Sequence, residues 1–89
     1  MKSLNSPDLA ARSLAALWHP CTQMARAAVT PPLAIARGEG PWLFDLEGRR
    51  YFDANSSWWV NLVGHSHAGI RAAITHQLET LPHVILAGC

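Results

Sequence analysis

The sequence predicts an α+β segment: one helix, a three-stranded antiparallel sheet, and a second helix. Two observations carry the prediction. Apolar residues recur at helical spacing near both ends of the chain, and between them three short runs of strand-forming residues are separated by glycine-containing turns. A third observation concerns what must surround the segment. Only 15% of the residues are charged, against roughly 25% in a typical soluble domain, while 49% are hydrophobic and four are tryptophan. A small chain with this balance exposes apolar surface that something else must cover.

Residues 1–6 read as a tail. Ser6-Pro7-Asp8 is a helix-start signal, combining a capping side chain, a residue that needs no N–H and an acid at the positive helix end. The expected helix covers 7–17, with Leu14, Leu17 and Trp18 at i, i+3 and i+4. Pro20 stops it by removing an amide. The stretch through Pro31-Pro32 reads as irregular. The antiparallel sheet is expected over 33–53, with strands at 33–37, 42–45 and 50–53. Gly38-Glu39-Gly40-Pro41 and Leu46-Glu47-Gly48 are the expected turns. Residues 54–66 read as a loop, because Asn55, Ser56, Ser57, Asn61 and Gly64 interrupt any single period. The second helix is expected over 67–81: Ile70, Ala73, Ile74, Leu78 and Leu81 share one face, Ser66 is a candidate cap and Pro82 ends it. That face is expected to lie across the sheet.

Several function classes are disfavoured by composition. At 89 residues there is room for one small domain at most. The net charge is +1 and the only adjacent basic pair is Arg49-Arg50, so no electrostatic footprint for nucleic acid or an anionic membrane is present. The apolar stretch from Leu9 to Trp18 is interrupted by Arg12, and no run approaches membrane-spanning length. A cytoplasmic location is the expectation. Cys21 and Cys89 lack metal-type spacing and read as reduced thiols. With the apolar run Val84-Ile85-Leu86-Ala87-Gly88-Cys89 at its end, the chain reads as a fragment, and contacts with further sequence are the expectation.

The residues that could carry chemistry are few. His65-Ser66-His67 is the tightest histidine cluster, yet no set of ligand pairs completes a zinc site. Cys21 has no identifiable base or orienting partner. No Gly-x-Gly-x-x-Gly or P-loop pattern occurs. Trp58-Trp59 is the most unusual local feature, since each ring can bury on the order of 150 to 250 Å². The pair suits core packing, or an aromatic wall for a ligand with an aliphatic or cationic part, with Ser56, Ser57 and Asn61 supplying polar contacts.

Taken in order, W-H-P-C-T at Trp18 to Thr22, G-x-x-L-F-D-x-E-G-R-R-Y-x-D from Gly40 to Asp53, S-S-W-W at Ser56 to Trp59 and G-H-S-H at Gly64 to His67 resemble the class-III pyridoxal-phosphate transaminases. The first and third motifs resemble the subgroup that acts on S-adenosylmethionine and 8-amino-7-oxononanoate. The resemblance implies a fold-type I enzyme whose small domain begins with this segment. It also implies a homodimer with active sites at the subunit interface. The implied reaction moves the amino group of S-adenosylmethionine to 8-amino-7-oxononanoate, with pyridoxal 5'-phosphate as electron sink and a lysine as its Schiff-base partner.

Position by position, Trp58 falls on that family's substrate-contacting tryptophan and Trp59 is its neighbour in the same pocket region. Cys21 falls where many members carry a substrate-contacting tyrosine. A thiol is shorter and a weaker donor, so the tyrosine's role does not transfer unchanged. Ala68, where proline is usual, and Asn55, before the double serine, are smaller departures. The only lysine, Lys2, does not match the family's cofactor lysine, and no catalytic or cofactor-binding residue of the family has a counterpart here. The expectation is part of a substrate pocket that is inactive alone. Two alternatives stand beside it: another class-III ω-transaminase, and a small non-enzymatic module using Trp58 and Trp59 as an aromatic platform.

Overall fold

The computed structural model of the chain describes residues 6–88. The first five residues of the expected tail, Lys2 among them, and Cys89 lie outside the described residues. Helix α1 (Ser6–Ala16) opens on the Ser6-Pro7-Asp8 signal. Leu17 still donates its amide to Ser13 O at 2.9 Å, and the chain then leaves the helix ahead of Pro20. Ser13 Oγ lies 3.0 Å from His19 Nε2, which ties this exit back to the helix. A 3-10 turn, Met24–Arg26, interrupts the connection to the sheet. Just beyond it, Ala27 is the one buried hydrophobic residue among those described.

Strands β1 (Ile35–Glu39), β2 (Trp42–Asp45) and β3 (Arg50–Phe52) form an antiparallel meander in sequence order. The first strand lies two residues further along than expected, because Gly38 and Glu39 pair with Leu43 and Trp42. The first turn thereby shrinks to Gly40-Pro41. Ile35 faces Asp45 while Arg37 faces Phe44, so Ala36 is the extra residue of a bulge. Pairing of Trp42 with Phe52 and Phe44 with Arg50 sets the faces of the sheet.

Strand alternation puts Trp42, Phe44, Arg37, Arg50 and Phe52 on one face. There Trp42 and Phe52 meet edge-to-face at 5.3 Å. The Arg37 guanidinium sits 3.5 Å above the Phe44 ring and that of Arg50 4.1 Å above Trp42. Such stacked cations contribute about 0.5–1 kcal/mol each at exposed positions. The opposite face carries Gly38, Leu43, Asp45 and Tyr51.

Asp45, only 3% exposed, organises the second turn. Its Oδ1 accepts from the Glu47 and Arg49 amides at 3.0 and 2.9 Å, and its Oδ2 from Arg49 Nε at 2.6 Å and the Tyr51 hydroxyl at 2.9 Å. Gly48 closes the turn by donating to Asp45 O at 3.1 Å, and its φ of +82 suits a residue without a Cβ. Burial alone would raise the Asp45 carboxyl. Hydrogen bonds from the Arg49 side chain, the Tyr51 hydroxyl and the Arg49 amide, together with the Arg49 charge, outweigh it and hold the group below its ordinary 3.8.

Helix α3 (Ala68–Thr80) is capped by His67, whose ring accepts from the Ile70 amide at 3.4 Å. Ser66 is not the cap: its φ is +60, and its hydroxyl donates to Gly38 O at 2.7 Å. Nor does the helix lie across the sheet. Every α3 residue is exposed, with Ile70, Ile74 and Leu78 at 51, 55 and 56%. No described helix is long and apolar enough to cross a membrane.

The accessible surface is 7688 Å². A compact monomer of this mass exposes roughly 5,100 Å². The difference, roughly 2,600 Å² on this one chain, corresponds to one side of an obligate interface at the upper end of the usual range, about 5,000 Å² over both partners. Two consequences are expected. The purified 89-residue chain self-associates in sedimentation at micromolar concentration and unfolds over a broad thermal range. A sharp, monomeric melting transition would contradict this account of its surface.

Candidate functional site

Where the sequence suggests a loop, the structure places one turn of unusual hand, α2 (Ser56–Trp59). Ser57 has φ 49 and ψ 54 and Trp58 has φ 70 and ψ 46, while Ser56 and Trp59 have φ of 52 and 64. The turn is closed by Trp59 N donating to Asn55 O at 2.7 Å and Val60 N to Ser56 O at 3.0 Å. Left-handed helical geometry costs an L-residue roughly 1–2 kcal/mol. Several such residues in succession persist only where surrounding contacts over-determine them.

Those contacts converge on Asp53. Its Oδ1 accepts from the Ser57 amide at 2.9 Å, and its Oδ2 accepts from Ser57 Oγ and from His65 Nε2, both at 2.7 Å. The ionised carboxylate only accepts, so His65 Nε2 carries the proton, and Nδ1, 3.2 Å away, accepts from Asn61 Nδ2. The side chains of His65 and Asp53 are 14 and 7% exposed. Hydrogen bonds from the Ser57 amide and hydroxyl, opposed by burial and joined by the hydrogen bond from His65, hold the Asp53 carboxyl below its ordinary 3.8. The sign follows directly. The carboxylate's contribution to stability is complete well above pH 3.8 and is lost as the pH falls from there through the lowered folded value.

The network is fastened to the sheet. His65 and Gly40 exchange two backbone hydrogen bonds, of 2.7 and 3.2 Å, and Asp53 N donates to Pro41 O at 2.9 Å. Gly38 provides the room: a Cβ there would lie 2.7 Å from both Cβ and Cγ of His65. Gly40, Pro41, Phe52, Asp53, Ser56 and His65 take part in lining a cleft of about 370 Å³ between this corner of the sheet and the turn.

The expected site residues are distributed unevenly. Trp58 and Trp59 sit together, ring centroids 6.0 Å apart at 75°, and project outward at 62 and 79% exposure. Neither lines the cleft. Cys21 is an exposed free thiol with φ +50, and among the described residues no hydrogen bond joins it to the tryptophan turn. Sequence reasoning missed Asp53, weighed His65 only as a metal ligand, and took Asn61 for a contact to a ligand where the structure turns it toward His65. Asn55, read as a loop residue and a departure from the family pattern, proves to cap the turn, its Oδ1 accepting from the Trp58 amide at 3.4 Å.

Gly38→Ala is expected to cost about 1–3 kcal/mol through overpacking and to displace His65. Gly48→Ala strains a backbone with open space around the new Cβ, so it lowers stability and leaves the site alone. Thermal unfolding and tryptophan fluorescence of the native protein separate the two: only Gly38→Ala changes the emission before unfolding.

Comparison with known proteins places the fold in a family. Residues 23–89 match the family model for aminotransferase class-III. The adenosylmethionine-8-amino-7-oxononanoate aminotransferase of Helicobacter pylori is 44% identical over 80 residues, covering 90% of this chain and 18% of the relative. The crystal structure of the enzyme of that name from Methanocaldococcus jannaschii superposes with a TM-score of 0.83 at 41% identity, over 96% of this chain and 19% of that one. An (S)-enantioselective omega-transaminase from Thermomicrobium roseum gives a TM-score of 0.80 at 32% identity, over 91 and 18% of the two chains. The chain thus spans under a fifth of the length of the H. pylori relative, and it belongs to the class-III aminotransferase family.

Proposed function

We propose that these 89 residues act as the N-terminal segment of the small domain of a fold-type I, pyridoxal-phosphate-dependent aminotransferase. The reaction is transfer of the amino group of S-adenosylmethionine to 8-amino-7-oxononanoate, giving 7,8-diaminononanoate for biotin synthesis. The observation that carries the reading is the left-handed turn that presents Trp58 and Trp59 outward from a half-buried Asp53 clamp. Strained backbone of this kind clusters at ligand sites. The similarity to the H. pylori and M. jannaschii enzymes supplies the choice of substrates.

Pyridoxal phosphate, when bound, supplies the electron sink for moving an amino group. Its protein partner is a lysine amine, and the only lysine here is Lys2, outside the described residues. The described residues therefore supply no Schiff-base amine, and in this reading their part is on the substrate side. Two indole faces form a wall against aliphatic and cationic groups, including a sulfonium or an ammonium. By covering one side of a pocket they also exclude water from it. The exposed stripe of α3 and the tryptophans at the site are the surfaces that a homodimer and the remaining domains would bury in a cytoplasmic enzyme. The isolated chain neither binds the cofactor covalently nor transaminates.

A second reading, an ω-transaminase with another amino donor and acceptor, is favoured by the likeness to the T. roseum enzyme. In the native enzyme purified from its source cells, Trp58→Ala is expected to lower kcat/KM for S-adenosylmethionine about ten- to a hundredfold, the scale of one lost buried side chain. The cofactor absorbance stays unchanged. An unaltered kcat/KM would remove Trp58 from the pocket. Turnover with simple ω-amines but not with S-adenosylmethionine would select the second reading.

A further inference from the structure

We infer that Asp53 and His65 are positioning residues that lock the left-handed turn and, through it, fix the orientation of the Trp58 and Trp59 rings. The inference rests on the proposed function only for its kinetic consequence; the geometric part stands by itself.

Asp53, His65 and Ser57 are the residue types of a nucleophilic triad, and their geometry excludes that role. In a triad the histidine accepts the serine proton. Here Ser57 Oγ and His65 Nε2 both donate to the same carboxylate oxygen, each at 2.7 Å. The remaining ring nitrogen of His65 faces Asn61 Nδ2 at 3.2 Å. Every hydrogen-bonding group of the cluster is committed inward, so none is free to move a proton to or from a substrate. What the cluster does is mechanical. Asp53 grips Ser57 by both its amide and its hydroxyl, one residue before Trp58, at a backbone position that a serine does not adopt unaided.

His65 completes the clamp from the far side of the loop. It holds Asp53 through its ring and the sheet through its backbone at Gly40. The six residues from Ser56 to Asn61 are thus tied at both ends. Asn61 N also donates to Ser56 O at 3.1 Å, which closes the loop across its neck. The two rings project from the middle of this closed loop. Their 75° crossing at 6.0 Å is therefore a property of the clamp rather than of core packing, since neither ring is buried.

The test uses the native, cofactor-loaded protein. Two indoles at this separation and angle couple as an exciton pair, so the Trp58→Phe minus wild-type difference in far-ultraviolet circular dichroism isolates their couplet. Asp53→Asn and His65→Ala are expected to abolish that couplet, Ser57→Ala to reduce it, and His65→Gln, whose amide can still donate to Asp53, to retain most of it. Asp53→Asn is also expected to lower kcat/KM about tenfold, mostly through KM, and to add less than about twofold in a Trp58→Phe background. A couplet unchanged in Asp53→Asn and Ser57→Ala overturns the inference, as does a full tenfold effect persisting on Trp58→Phe. Should Asp53→Asn not fold, Ser57→Ala, exposed and still able to donate its amide, decides alone. Loss of the couplet with kcat/KM unaltered in both Asp53→Asn and Trp58→Phe supports the clamp and rejects the substrate pocket.

Discussion

One carboxylate, that of Asp53, holds the turn on which the proposed function depends. The residue leaves the sheet where β3 ends, and it accepts two hydrogen bonds from Ser57 and one from His65. Without those acceptors the turn carrying Trp58 and Trp59 has no reason to keep positive φ, since L-residues return to the right-handed or extended regions at a gain of about 1–2 kcal/mol each. The sheet exists in turn through a second carboxylate, Asp45, which gathers the amides, guanidinium and phenol of its turn. Both act at neutral pH because each is ionised and hydrogen-bonded. Polar clamps stand here where a larger domain would use apolar packing.

That substitution is forced by the scarcity of core. Among the described residues Ala27 and Asp45 are the only buried ones. The apolar stripe of α3 and the outward tryptophans remain in water. A chain so built reaches its working stability with the surfaces that cover it, and its own hydrogen bonds decide local shape. The same division applies to chemistry. In the proposed function this segment shapes and positions the substrate side, and the amine that binds the cofactor is expected from another part of the enzyme.

The legible part of the fold was the part governed by local rules. The β2 strand falls where alternation and turn glycines place it, and α1 and α3 fall within a residue or so of their cap and proline signals. The first strand shifted because Gly38 reads as a turn residue, whereas here its missing Cβ makes room for His65. That contact joins residues 27 apart in the chain, and no window of local pattern contains it. Ser66 reads as a cap by type, but its hydroxyl is drawn to Gly38 O and the task passes to His67. The tryptophan pair was visible as an anomaly of composition. Its left-handed backbone was not, because serine and tryptophan are not residues that announce positive φ. The Asp53, His65 and Asn61 cluster was hidden for a related reason: each residue had an ordinary local explanation, and only tertiary structure brings them together.

The central claim is that this segment is one working face of a longer aminotransferase. The most direct measurement is the intact mass of the native protein from its source cells, identified through a peptide covering residues 56–67. The account predicts a mass several times the 9.7 kDa of these 89 residues. A native mass near 9.7 kDa, with the chain monomeric and folded, would contradict it and leave the tryptophan pair as the platform of a small binding protein.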